Sequence, residues 1–216
     1  MGRPVADQIA DVRRELEARP EGLVRHVERV LVEALDLAAR WDVDPERVEL
    51  ATWGHDLFRS FPPNDQLRLA AEAGVPVTLA DEASPVLLHG PIAAAVLRER
   101  FAVSDDEVLA AVRGHTLGFT AMGTIAKIIL IADKVERRKR GRAPVFSEIR
   151  RAARQDLDLA LLAWADWKWV EERQHGWMSH PGHWDAREEW VREHHIDRAA
   201  PARVDEQAWA EDGESR

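Results

Sequence analysis

Apolar residues recur every three to four positions along most of this chain. In "EGLVRHVERVLVEALDLAARW" they fall at Leu23, Val27, Val30, Ala34, Leu37 and Trp41, the spacing of an amphipathic helix with one buried stripe. "DPERVELATWGHDLF" opens on Asp44 as a cap with Pro45 at the first helical position, and "SPVLLHGPIAAAVLRERF" opens likewise on Ser84 and Pro85. "SDDEVLAAVRGH" holds Ser104 and Glu107 at the spacing of a capping box. "TIAKIILIADKVERRKR" and "FSEIRRAARQDLDLALLAWADWKWV" follow the same helical logic. No segment alternates with the period of a strand and no internal repeat is visible. The pattern predicts an all-α fold.

Connections between these segments are short except from Phe61 to Glu82, which contains "PPN", "AGVP" and one short helix predicted over residues 65–73. Beyond Val170 the chain becomes rich in Trp, His and charge and ends in an acidic polar stretch. The expected organisation is a single helical domain over residues 1–170 followed by a C-terminal extension over 171–216, consisting of an appended helix and a loose, partly disordered tail.

Six ionisable residues break the apolar pattern from within. His55 and Asp56 lie in "ATWGHDLF", where His55 shares a stripe with Val48, Ala51 and Phe58. His89 falls in line with Val86, Ile92, Ala93 and Val96, and His115 follows Val108, Ala111 and Val112. His26 lies at the margin of the stripe that contains Leu23 and Val30, and Asp133 sits inside "IILIADKV". A single inward histidine is most often a hydrogen-bonded core residue. Six such groups on successive helices would each need a separate partner to offset burial, whereas one or two shared cations satisfy all of them.

The chain has no cysteine, which excludes disulfides, thiolate metal sites and cysteine nucleophiles. Nitrogen and oxygen donors suit Fe, Mn, Co, Ni or Zn better than a calcium or magnesium cage. Six ligands are too many for one hydrolytic ion with an open position and are suitable for two. Adjacent helical residues diverge by roughly 100°, so His55 can reach one ion while the two oxygens of Asp56 bridge both.

A net charge of −9 argues against general nucleic-acid binding. Six of the nine residues in "KVERRKRGR" (134–142) are nevertheless basic. That run reads equally as a phosphate-binding patch or as a solvated helix end complementing the macrodipole. No run approaches 18 apolar residues, and the N-terminus lacks the apolar stretch of a secretory signal, so a cytoplasmic protein is expected.

The order His26, His55-Asp56, His89, His115, Asp133 resembles the HD-domain superfamily of metal-dependent phosphohydrolases. "LLHGPIAAAVLRERFAVSDDEVLAAVRGHTLG", "KIILIADKVE" and "EIRRAARQDLDLALL" are similar to the bacterial YqeK-type symmetrical diadenosine tetraphosphate hydrolases, over about residues 20–170. The resemblance implies an all-helical HD-domain fold, a two-metal centre usually containing iron, and cleavage of diadenosine tetraphosphate into two ADP. It implies that His26, His55, Asp56 and Asp133 hold one ion and Asp56, His89 and His115 the other. "HTLG" at 115–118 matches the family's "HTxG" turn and "ADKVE" its "ADxxE" stretch. Here "HDLFR" replaces the family's "HDYAK", with Arg59 in place of lysine, "ADKVER" replaces "ADYIEP", and the chain has no tyrosine. Arg grips phosphate bidentately where Lys acts as a point charge.

The expected mechanism is attack on phosphorus by a water that the two ions activate. Asp56 and Arg59 are the expected catalytic residues, and Arg59, Thr116, Gly118, Lys134 and Arg137 the expected substrate contacts. Trp53 and the tail histidines His175, His180 and His183 are read as core and surface residues respectively. The expected partner is a small nucleotide. A homodimer is allowed, and no nucleic acid and no membrane are expected as partners. The ligand set alone leaves open a hydrolase of another nucleotide, a diiron oxygenase of the same fold, or a non-catalytic helical binding module.

Overall fold

The computed structural model describes residues 3–141 and 143–193. Among these residues all regular structure is helical: α1 (Val5–Glu17), α2 (Glu21–Arg40), α3 (Pro45–His55), α4 (Pro63–Glu72), α5 (Leu79–Ala83), a 3₁₀ turn (Pro85–Leu88), α6 (His89–Arg100), α7 (Asp106–Gly114), α8 (Thr124–Val135), α9 (Arg137–Arg140), α10 (Val145–Ala153), α11 (Leu157–His175) and α12 (Pro181–Arg192). The all-α expectation holds.

Helix α8 is the centre of the molecule because its sequence is apolar almost all round, the pattern of a helix with neighbours on every side. Ile125, Ile128, Ile129, Leu130 and Ile131 are all buried. It packs against α2, α3, α7, α10 and α11. Helix α2 brings one stripe to this core, α3 is buried on all sides from Leu50 to His55, and Asp133 lies on the last turn of α8.

Several local expectations are met. Asp44 caps α3 by accepting from the Glu46 N–H at 2.9 Å, with Pro45 at the first position. The predicted short helix over 65–73 is α4, and its buried Gln66 donates to the carbonyls of Phe58 (3.1 Å) and Phe61 (3.3 Å), pinning the turn that carries Arg59. Trp53 is a core residue, with its indole N–H on Glu49 at 3.1 Å.

Others are corrected. Asp105, not Ser104, caps α7, accepting from the N–H groups of Glu107 (3.0 Å) and Val108 (3.3 Å). The same carboxylate receives Arg47 of α3 in a two-point grip at 2.6 and 2.8 Å, so one side chain caps a helix and ties it to its neighbour. Ser84 makes no side-chain cap, and residues 85–88 form the 3₁₀ turn that ends at His89. The connection from Phe61 to Glu82 holds α5 as well as α4, α5 being closed by a capping box between Thr78 and Asp81.

Two segments expected to be continuous helices are broken. The chain turns extended at Glu136, which caps α9 through the Arg138 N–H at 2.8 Å. Asp156 similarly starts α11 after α10 has ended, accepting from the Asp158 and Leu159 N–H groups at 2.9 and 3.1 Å. Helix α11 then runs through residue 170 to His175, and α12 packs on it. Within the extension His183 is buried, against its reading as a surface residue, because its Nδ1 donates to the Leu117 carbonyl at 2.8 Å and its ring packs on Trp164. Of the acidic tail, residues 194–216 lie outside the described part of the chain, as does Arg142 of the basic run.

Candidate metal centre

Three of the four inward histidines sit at helix ends, where the last carbonyls lack helical partners. His55 ends α3, His115 follows α7 and His89 follows the 3₁₀ turn. Each ring turns its Nδ1 back onto the carbonyl three residues earlier: His55 on Thr52 at 2.6 Å, His115 on Val112 at 2.8 Å, and His89 on Val86. A carbonyl only accepts, so Nδ1 carries the proton in all three rings. The neutral imidazole then presents a lone pair at Nε2.

Those lone pairs converge on Asp56. Its Oδ1 lies 3.1 Å from His89 Nε2 and 3.5 Å from His115 Nε2, while its Oδ2 lies 3.6 Å from His55 Nε2 and 3.5 Å from His26 Nε2. His26, His55 and Asp56 form one group of donors close enough to share an ion, and Asp56, His89 and His115 form a second. Asp56 belongs to both, with one oxygen directed to each.

The donors are poorly served without a cation. His55 Nε2 is buried with no hydrogen-bond partner, and an orphaned polar atom of this kind costs about 1–3 kcal/mol. His89 and His115 bring their Nε2 atoms to 3.0 Å, where two lone pairs face each other. Burial pushes the His115 imidazole down to about 4 and pushes His55 down as well, so a proton is a poor occupant of the gap. Burial alone would raise Asp56, and positive charge beside it, on His55 foremost, holds its carboxyl well below the usual carboxylate range; a shared cation would supply that charge with the rings left neutral. Neutral imidazoles around an ionised carboxylate are the donor set of a divalent transition metal.

Asp133 is gathered to the same place, with Oδ1 3.1 Å from His26 Nε2. Its oxygens also receive Lys134 at 2.7 Å and Lys139 at 2.6 Å. Burial would raise its carboxyl, yet Lys134 and then Lys139 hold it well below the usual range. Behind His26, Glu136 places Oε1 3.8 Å from Nδ1 and is itself held by Arg29 at 2.7 Å.

The centre opens into a cavity of about 460 Å³, whose walls include Arg59, Thr116, Lys134 and Lys139. The Thr116 hydroxyl lies 3.2 Å from His115 Nε2 and 3.4 Å from His89 Nε2. Gly118 and Arg137 are not wall residues of this cavity. Gly118 adopts φ +75° and lets Trp190 of α12 approach to where its Cβ would stand at 2.4 Å. Arg137 is exposed on α9. Lys139 is not legible in the sequence because a continuous helix puts it, six residues on, on a different face from Asp133, and the contact of Glu136 with His26 is not legible because His26 lies on α2. Only the break at Glu136 turns Lys139 back. The single available signal was the acidic residue in "ADKVE".

The HD domain family matches residues 23–138. The symmetrical bis(5'-nucleosyl)-tetraphosphatase of Bacillus subtilis is 31% identical over 137 residues, covering 63% of this chain and 72% of that protein. Its namesake from Halalkalibacterium halodurans is 32% identical over 142 residues, 64% of this chain and 73% of the relative. A crystal structure from Clostridium acetobutylicum, described as a predicted HD superfamily hydrolase involved in NAD metabolism, superposes with a TM-score of 0.79 at 26% identity. It covers 87% of this chain and 97% of its own. The matched span begins just before His26 and ends just after Asp133, so His26, His55, Asp56, His89, His115 and Asp133 all fall inside it, and the chain belongs to the HD domain family.

Proposed function

We propose that this protein is a two-metal phosphohydrolase that cleaves diadenosine tetraphosphate symmetrically to two ADP. The observation that carries the two-metal reading is the disposition of Asp56, one oxygen toward His26 and His55 and the other toward His89 and His115. The substrate reading draws on the relatives named symmetrical bis(5'-nucleosyl)-tetraphosphatase.

His26, His55, Asp56 and Asp133 would hold one ion and Asp56, His89 and His115 the other, with iron the favoured metal. When bound, such ions lower the pKa of water and neutralise phosphate oxygens. In the overall reaction a water oxygen bonds to one of the two inner phosphorus atoms. The bond from that phosphorus to the central bridging oxygen breaks, and two ADP result. Arg59, Lys134 and Lys139 line the cavity as cations for the four phosphates, Arg59 offering a bidentate grip and the lysines point charges. The carbonyl bonds to Nδ1 keep the histidine rings from rotating away from the centre.

The reading places the reaction within residues 1–170, treats residues 171–216 as an extension, and sets the protein in the cytoplasm. Among the described residues no helix is long and apolar enough to cross a membrane. The test is product analysis after incubating the metal-loaded protein with diadenosine tetraphosphate. ADP alone is expected, and ATP with AMP would refute symmetric cleavage. Oxygen consumption without hydrolysis would identify an oxygenase instead.

A further inference from the structure

A second, larger cavity of about 1010 Å³ adjoins the metal centre. The two share the walls Arg59, Leu87, Thr116, Lys134 and Lys139. Beyond that junction the larger cavity turns aromatic, lined by Phe146, Trp164, Trp167, Trp177 and Met178. Trp164 begins one side chain from the junction, with Lys134 Nζ 5.5 Å from its ring centroid. Trp167 packs edge-on against Phe146 at 4.6 Å.

The outer wall is built by the segment after α11. Gly176 ends that helix with φ +68°, and the chain then returns through Trp177 to His180. His175 stacks on Trp177 at 4.5 Å, and Lys168 Nζ stands 5.3 Å from its centroid, so the indole is held in place although 54% exposed. His180 Nε2 meets Asp81 Oδ1 of α5 at 3.3 Å, closing the segment onto the opposite side of the cavity.

We propose that this aromatic cleft is the subsite for one nucleoside of the substrate, an assignment that rests on the phosphohydrolase reading above. Its polarity matches a nucleotide lying along it. Arg59, Lys134 and Lys139 stand at the metal end, where phosphates would lie, and the aromatic surface, with Lys168, Glu171 and Glu172 among its lining, stands away from it, where a base would lie. Its volume is at the upper end of the roughly 300–1,000 Å³ usual for small-molecule sites. A polyphosphate without a base would have no use for the aromatic wall. The segment after residue 170 then has a task, which is to complete that wall.

The test is calorimetric titration of the metal-loaded full chain with ADP and, separately, with inorganic pyrophosphate. Trp177→Ala is expected to weaken ADP binding about tenfold, in the range of base–aromatic stacking, and pyrophosphate binding less than about twofold. Met178→Ala should do the same more weakly, and Trp177→Phe should restore most of the loss. Both side chains are exposed enough for the variants to fold. Unchanged ADP affinity in Trp177→Ala, equal weakening of both ligands, or no ADP binding by the unmodified chain would overturn the subsite. If the unmodified chain fails to cleave diadenosine tetraphosphate yet shows this discrimination, the catalytic reading fails and the subsite stands.

Discussion

The Nε2 atoms of His89 and His115 stand 3.0 Å apart, although each ring has already committed its Nδ1 proton to a backbone carbonyl. Neither can donate to the other while both are neutral. The close approach is made possible by Gly90, the second residue of α6. A Cβ there would lie 2.9 Å from the carbonyl oxygens of Arg113 and Val112, and 3.2 Å from the His115 ring. Backbone cannot step aside as a flexible side chain can.

Gly90→Ala is therefore expected to push α6 from the end of α7 and to separate the two rings. The protein should stay folded at a stability cost of about 1–3 kcal/mol. It should lose about one equivalent of bound transition metal and most of its turnover. Metal analysis together with thermal melting checks this, and full metal content in the variant would show that the helices adapt.

Removing metal should destabilise the protein by mass action. A ligand at a hundred times its dissociation constant contributes about 2.7 kcal/mol, which for a chain of this size is a shift of roughly 5–10 °C. Chelation should lower the melting temperature by that order, and added Fe(II) or Mn(II) should restore it. Asp56→Ala should abolish both the response and turnover, since both donor groups share that carboxylate. A variant still melting higher with metal would show that another residue joins the two groups.

Lys139 and Arg137 separate the tertiary arrangement from a continuous-helix reading. Lys139 lines the centre and bonds Asp133, whereas Arg137 is exposed on α9. Lys139→Ala should raise KM for the dinucleotide about tenfold, in line with the loss of one charged hydrogen bond. Arg137→Ala should change it less than about twofold. Steady-state kinetics decides between them, and the reverse ranking would mean that α9 rotates when substrate binds.

The Arg47–Asp105 grip should appear in the pH dependence of stability. The Arg47 hydrogen bonds hold Asp105 below its ordinary value of 3.8, against the smaller opposing effect of burial. A carboxyl depressed in the folded state contributes stability that is fully present above the unfolded value of about 3.9 and is lost as pH falls through the lower folded value. The contribution is about 1 kcal/mol or less because the pair is partly exposed. Arg47→Leu should lower stability at pH 7 by that amount and flatten its decline below pH 4. Denaturant melts at pH 7, 4 and 3 would show the difference, and parallel curves for the two proteins would contradict it.

Much of the architecture was legible because its causes are local. The three-and-four spacing of apolar residues follows from helix geometry, and Asp44 with Pro45 specifies the start of α3 through its own backbone. Caps were less legible where a distant residue intervened. Ser104 and Asp105 are both competent, and Arg47, 58 positions away, holds Asp105. His183 looked like a surface residue because its partners, Leu117 and Trp164, lie on other elements.

By itself the sequence determined the helical class and pointed to six ionisable residues facing inward, since an ionisable residue on an apolar stripe reveals its burial through its neighbours in the chain. Only the tertiary structure decided how those donors meet. Which oxygen of Asp56 faces which histidines, which lysines reach Asp133 and where the aromatic cleft runs all depend on helix ends and on breaks such as Glu136. A helix end is where hydrophobic periodicity stops carrying information. Capping partners and packing across the core then set the direction of the next residue.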